Sequence, residues 1–75
     1  MQRAYVLINV ESGSEDIVAK KIKSVADAEE TYISYGVYDL IVKVKSNTMD
    51  ELKNTVTNKI RTLDHVKSTL TLILT

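Results

Sequence analysis

The period of the apolar residues changes from one stretch of this chain to the next, and that change constrains its fold most. In Arg3–Val10, RAYVLINV, they alternate: Ala4, Val6, Ile8 and Val10 share one face, and Arg3, Tyr5, Leu7 and Asn9 the other. Strict alternation marks a strand. SGSED follows, with Ser12 or Ser14 placed to cap a helix and acids where its first turn favours them. Val18, Ile22 and Val25 then recur at helical spacing, which predicts a helix over residues 15–25. EETYISY (residues 29–35) reads as a second strand and DLIVKVK (residues 39–45) as a third, with Leu40, Val42 and Val44 on one face and Gly36–Tyr38 as a tight connection. Thr48-Met49-Asp50-Glu51 has the form of a capping box. Beyond it Met49, Leu52, Val56, Ile60 and Leu63 keep one stripe over a second helix, and VKSTLTLIL (residues 66–74) supplies a last strand.

The order is β-α-β-β-α-β. Right-handed crossovers then give an α+β, ferredoxin-like fold: a four-stranded antiparallel sheet with both helices on one face. At 75 residues the chain is read as one domain, 1–75. So small a domain buries only about 60% of its unfolded surface. There is no cysteine and a single histidine, His65, so disulfides and thiolate or histidine-rich metal sites are ruled out, and neither metal nor cofactor is expected. Oligomerisation is the remaining way to stabilise it.

Two helices cover one sheet face only. The residues assigned to that face are Ala4, Val6, Ile8, Val10, Leu40, Val42, Val44, Leu70, Leu72 and Leu74. The other face should be polar in a monomer, yet it carries Tyr5, Leu7, Ile41 and Ile73, diluted by Thr69, Thr71 and Lys43. Such a patch marks an interface, and two sheets packed face to face in a C2 dimer would bury it.

Ten basic and ten acidic side chains cancel, which argues against direct nucleic-acid binding through phosphates. An RRM stacks RNA bases on aromatics of a bare sheet face, but DLIVKVK has no aromatic. The first apolar run is too short to span a membrane and has no signal-peptide cleavage site, so a cytoplasmic location is expected. No serine has a histidine–acid partnership for nucleophilic catalysis, and the acidic ESGSED loop would repel phosphate. An enzyme is not expected.

That leaves Gly36-Val37-Tyr38-Asp39. A hairpin turn with Gly36 at positive φ explains the glycine. It explains Asp39 less well, because aspartate is depleted in strands. Backbone N–H groups of an irregular loop can receive a carboxylate, and an adjacent acid can pair with an ammonium. Together they match the zwitterion of an α-amino acid.

G-x-Y-D at Gly36–Asp39, D-L-I-V-K-V at Asp39–Val44, M-D-E-L at Met49–Leu52, and Val66, Thr69, Thr71 and Leu74 of the last strand resemble the effector-binding (RAM) domain of the Lrp/AsnC family of transcription regulators. The likeness covers essentially the whole chain. It implies sheet-to-sheet homodimers that assemble further, into octamers or similar rings, with amino-acid effectors between dimers. It implies that Gly36, Val37 and Tyr38 supply the ligand loop, that Asp39 meets the effector's ammonium, and that Thr69 and Thr71, on the face away from the helices, add hydroxyls. Val37 stands where the family often has a polar or acidic residue, a departure that implies either a different ligand or no binding at all. The family's helix-turn-helix domain has no counterpart ahead of the first strand, so a stand-alone effector module is expected, acting on a partner enzyme or on a DNA-binding relative. The alternative is a structural oligomerisation module with no ligand.

Overall fold

The computed structural model describes residues 1–25 and 27–74. The element order is β1 (Gln2–Val10), α1 (Glu15–Lys23), β2 (Ala28–Ile33), β3 (Leu40–Ser46), α2 (Met49–Asn54), a π-helical segment (Thr55–Ile60) and β4 (Val66–Leu74). The strands form one sheet in the order β2-β3-β1-β4, with every neighbouring pair antiparallel. This is the ferredoxin-like arrangement expected from the sequence. The helices pack mainly on β2, β3 and β1.

The core lies between helices and sheet. Ala4, Val6, Ile8 and Val10 of β1 and Leu40, Val42 and Val44 of β3 are buried, facing Val18 and Ile22 of α1 and Leu52, Val56 and Ile60 from the second helical stretch. Alternation along the two central strands therefore placed their faces correctly. Helix α2 starts as its capping box requires: the Thr48 hydroxyl accepts from the Glu51 N–H at 3.1 Å. Helix α1 is shorter than its periodicity suggested. Ser14 is its N-cap but makes no side-chain capping bond, so the acids Glu15 and Asp16 in the first turn remain its favourable feature.

The second helix changes hand-hold midway. Leu52, Val56 and Ile60, at i, i+4 and i+8, share one helical stripe. From Thr55 the chain widens into a π-helical segment, in which the Arg61 N–H donates to the Val56 carbonyl at 2.9 Å, and all three residues lie in the core. Thr55, at the junction, is buried, and its hydroxyl donates to Asp27, as does that of Ser46 at 3.2 Å. One carboxylate thus ties together the approach to β2, the end of β3 and the start of the π segment.

Strand β4 overturns one expectation. Asn9 pairs with Ser68, whereas Val10 pairs with Val66, so Lys67 is an extra residue in a β-bulge. Side chains alternate with a period of two, so one inserted residue turns over all that follows. Val66 faces the core, but beyond the bulge Thr69, Thr71 and Ile73 stand beside Ile8, Val6 and Ala4 on the helix side. Leu70, Leu72 and Leu74 stand beside Leu7, Tyr5 and Arg3 on the outer side. The assignment of these three leucines to the core, and of Thr69, Thr71 and Ile73 to the outer face, is therefore corrected.

Candidate functional site

Three surfaces built by this register bear on function: the outer sheet face, the β2–β3 loop, and a groove beside β4. On the outer face one row crosses the sheet from Tyr32 through Ile41 and Leu7 to Leu70, and the next runs from Glu30 through Lys43 and Tyr5 to Leu72. Leu70 and Leu72 are 45% and 46% exposed, which is far from the burial a leucine normally seeks. The corrected register makes this face more apolar than alternation alone implied. At the β2 side it becomes polar: Lys43 lies 3.8 Å from Glu30, and the Tyr32 hydroxyl donates to Glu30 at 2.8 Å. That hydrogen bond, reinforced by the Glu30 charge, raises the Tyr32 pKa above its ordinary value.

The loop between β2 and β3 is wider than a tight turn. The Ser34 N–H donates to the Asp39 carbonyl at 2.8 Å, closing residues 34–39. A connection of that length reverses the chain without a left-handed residue. Gly36 accordingly does not take a positive φ; the glycine that does is Gly13, at +85°. Tyr35 is 98% and Val37 82% exposed, whereas Tyr38 and Asp39 are partly buried. Asp39 also holds the fold together: its N–H donates to the Ile8 carbonyl and its Oδ2 accepts from the Val10 N–H, each at 2.9 Å. The side chain thus takes the place of a backbone acceptor where the β1–β3 ladder ends. Oδ1 accepts no hydrogen bond among the described residues. Next to it a cleft of about 230 Å³ is lined by Gly36, Tyr35 and Ser34 from the loop and by Glu15 and Asp16 from α1. Three carboxylates with no base among them favour a positively charged group.

The groove lies on the helix side of β4, beyond the cover of the helices, and holds about 370 Å³. Buried Leu52 and Val56 form its floor, and Thr69, Thr71 and Ile73 form the strand wall. The helical wall is Lys53, Thr57 and Arg61, spaced by four. Neither Lys53 nor Arg61 makes an ion pair among the described residues. The threonines thus face this groove, which explains why β4 tolerates hydroxyls on its inner side.

The sites therefore fall apart within one chain. Leu40 and Thr69 flank Ile8 on opposite sides, two strand spacings or roughly 10 Å. Asp39 and the two threonines do not share a pocket. Sequence reasoning treated Glu15 and Asp16 only as partners of the helix dipole, and it missed Lys53 and Arg61. The stripe of four-residue steps beside Leu52, Val56 and Ile60 was the available signal. His65 lies in the turn before β4 at φ 74°, its carbonyl accepting from the Glu11 N–H at 2.8 Å, and it approaches neither pocket lining. Among the described residues no His, Cys, Asp and Glu cluster is arranged to hold a metal, and no helix is long and apolar enough to cross a membrane.

The family model described as the Lrp/AsnC ligand binding domain matches residues 3–75. The chain belongs to this family. The crystal structure of FFRP-DM1 superposes with a TM-score of 0.96 at 36% identity, each chain covering 100% of the other. The HTH-type transcriptional regulator YugG of Bacillus subtilis is 41% identical over 56 residues, 75% of this chain and 34% of that protein. Regulatory protein AsnC of Escherichia coli is 38% identical over 53 residues, 71% of this chain and 35% of that protein. This Lrp/AsnC domain thus spans about a third of the length of these two curated relatives, which are regulators rather than enzymes by name.

Proposed function

We propose that this Lrp/AsnC domain is an oligomeric sensor of an amino acid, which dimerises through its outer sheet face and controls a regulatory partner. The observation that carries the ligand half is the state of Asp39. One carboxylate oxygen is fixed on the Val10 N–H, and the other has no hydrogen-bond partner among the described residues, at the cleft formed with Glu15 and Asp16. A carboxylate held in place loses little freedom on receiving an ammonium, and charge-assisted bonds are the stronger kind. Backbone groups of Gly36, Val37 and Tyr38 are the donors and acceptors nearest to that oxygen in sequence. The dimer half rests on Leu7, Ile41, Leu70 and Leu72, a contiguous apolar area that a monomer would leave in water. The effector alters the partner through its different affinity for two assembly states, and a DNA-binding member of the family is the natural regulatory partner.

The test is thermal unfolding against the twenty amino acids at millimolar concentration. A ligand present at about 100 times its dissociation constant stabilises the native state by roughly 2.7 kcal/mol. In a domain of this size that raises the midpoint by about 10 °C or more. The expected result is a rise with one or two amino acids, lost in Asp39→Asn, which keeps an acceptor for the Val10 N–H but no charge.

A second reading has its own support. The Asp39–Val10 bond gives the aspartate a purely structural reason to be there. On that reading the domain is an assembly module without a ligand, and the amino-acid panel is flat while the oligomer is intact.

A further inference from the structure

The two edges of the sheet differ. Strand β2 ends one side. It is short, carries Glu29 and Glu30, and its pairing with β3 slips between Ala28 and Glu30. Charges and irregularities of this kind keep an edge from pairing with another chain. Strand β4 ends the other side and pairs with β1. Its one charge, Lys67, sits in the bulge near its start, and STLTLIL (residues 68–74) has neither charge nor proline. About half of the backbone N–H and C=O groups along such a stretch point away from its neighbour, and among the described residues no strand lies beyond β4 to receive them.

The groove runs along this same edge. The helices leave the inner side of β4 bare: Ile73 stands on the helix side yet is 40% exposed, whereas Ala4 beside it is fully buried. The groove floor is apolar, from Leu52 and Val56, and the helical wall bears Lys53 and Arg61, both without an acidic partner among the described residues. The spacing of these two cations matches a strand. They lie eight residues apart, roughly 12 Å along a helix, and residues i and i+4 of an extended chain lie roughly 13 Å apart. The strand wall, from Thr69 to Ile73, covers that same step.

We infer that β4 accepts an extended segment of another protein as a fifth strand of the sheet, and that this segment has the pattern acid-x-apolar-x-acid. Its backbone continues the ladder of β4, the source of affinity in strand addition. Alternate side chains point to the helix side. The central apolar one lies over Leu52 and Val56, and the acids flanking it reach Lys53 and Arg61. A second copy does not fit. This chain has one pair of acids at that spacing, Glu11 and Glu15, with Gly13 rather than an apolar side chain between them, and Glu15 begins α1. Two β4 edges paired with each other would also set one basic border against the other, and like charges so placed oppose association. The segment therefore belongs to a different protein. The contact gives the regulatory partner proposed above a means of attachment, but it requires neither an amino acid nor Asp39.

The experiment is fluorescence anisotropy with the complete chain and a fluorescein-labelled peptide, Thr-Glu-Thr-Val-Thr-Glu-Thr. Binding should saturate and should weaken as salt rises. Moving the valine one position, off the side that bears the acids, should weaken it about tenfold, the worth of one buried apolar side chain. N-methylation of alternate amides should abolish binding on one set and spare it on the other, because only one set faces β4. The paired reversal Lys53→Glu and Arg61→Glu should lose this peptide and gain its counterpart with lysine for both glutamates, which a damaged fold cannot do. Sedimentation velocity should show the peptide adding to the assembly without changing its number of chains. The inference is overturned if the glutamate peptide does not bind, if both methylated sets bind alike, or if the lysine peptide fails to bind the reversed variant. It is equally overturned if the peptide breaks the assembly apart, which assigns the β4 edge to a second copy. Failure of the sensor reading looks different: a flat amino-acid panel, with peptide binding intact in the wild type and in Asp39→Asn.

Discussion

On the proposed reading Asp39 does two jobs with one carboxylate, holding the Val10 N–H and meeting an ammonium, and substitution separates them. Removing the side chain in Asp39→Ala leaves the Val10 N–H without its acceptor, and a buried donor so orphaned costs about 1–3 kcal/mol. Asp39→Asn should cost less than half of that by urea unfolding, because its amide oxygen can still accept. Tyr32 gives a second residue-scale readout. Its pKa is raised first by the hydrogen bond to Glu30 and then by that residue's charge. A raised value in the folded state means that the associated stability is complete below the unfolded tyrosine value, near 10, and disappears as pH climbs through the folded value. Absorbance titration should therefore show one of the four tyrosines ionising late. That late component should vanish in Tyr32→Phe and move down in Glu30→Gln. The role of Asp39 was half legible in the chain: an acid at the start of a strand invited a reason, but only the three-dimensional register reveals that Val10 supplies one.

Among the elements, the second helix and β4 show what periodicity can and cannot convey. Spacing placed Leu52, Val56 and Ile60 in the core, but it left no sign of the π-helical widening, since i, i+4 and i+8 also share one stripe of an α-helix. The Asp27 junction left no trace either, because its partners Ser46 and Thr55 are far apart in sequence and of a type found on any surface. Thr55→Val should cost about 1.5–3 kcal/mol, the range for hydrogen bonds to charged groups, seen as a lower urea midpoint with an unchanged slope. In β4 the alternation of VKSTLTLIL was visible, but its face was not. Alternation carries no absolute reference, and a bulge at Lys67 has no reliable local signal.

For the whole molecule, the consequence is that both layers of the sheet are committed. One side packs against helices, and the other carries Leu7, Ile41, Leu70 and Leu72, which the proposed dimer covers. Leu72→Asp should therefore leave the circular dichroism of the fold in place while shifting the dimer to monomer at micromolar concentration in light scattering. Ile73→Asp, one residue on and facing the groove, should leave that dimer intact. The fold class was readable because every element carried its own local pattern. Of the proposed ligand residues, Gly36–Asp39 stood out by turn and strand chemistry, whereas Thr69 and Thr71 were readable only through family likeness. Their division between two distant surfaces is a property of topology, which no spacing along the chain records.

Lys67 is the slack in the strand. The bulge takes up this one residue, so that Val66 and, beyond it, Thr69, Thr71 and Ile73 all face the helices while the three leucines face outward. Deleting Lys67 would close the bulge and leave every downstream pairing where it is. Pulling the strand straight with Lys67 retained would instead slide the pairing by one and turn the leucines inward. The outward face of the leucines is thus fixed by where the chain stores its spare residue, not by the order of residue types along it.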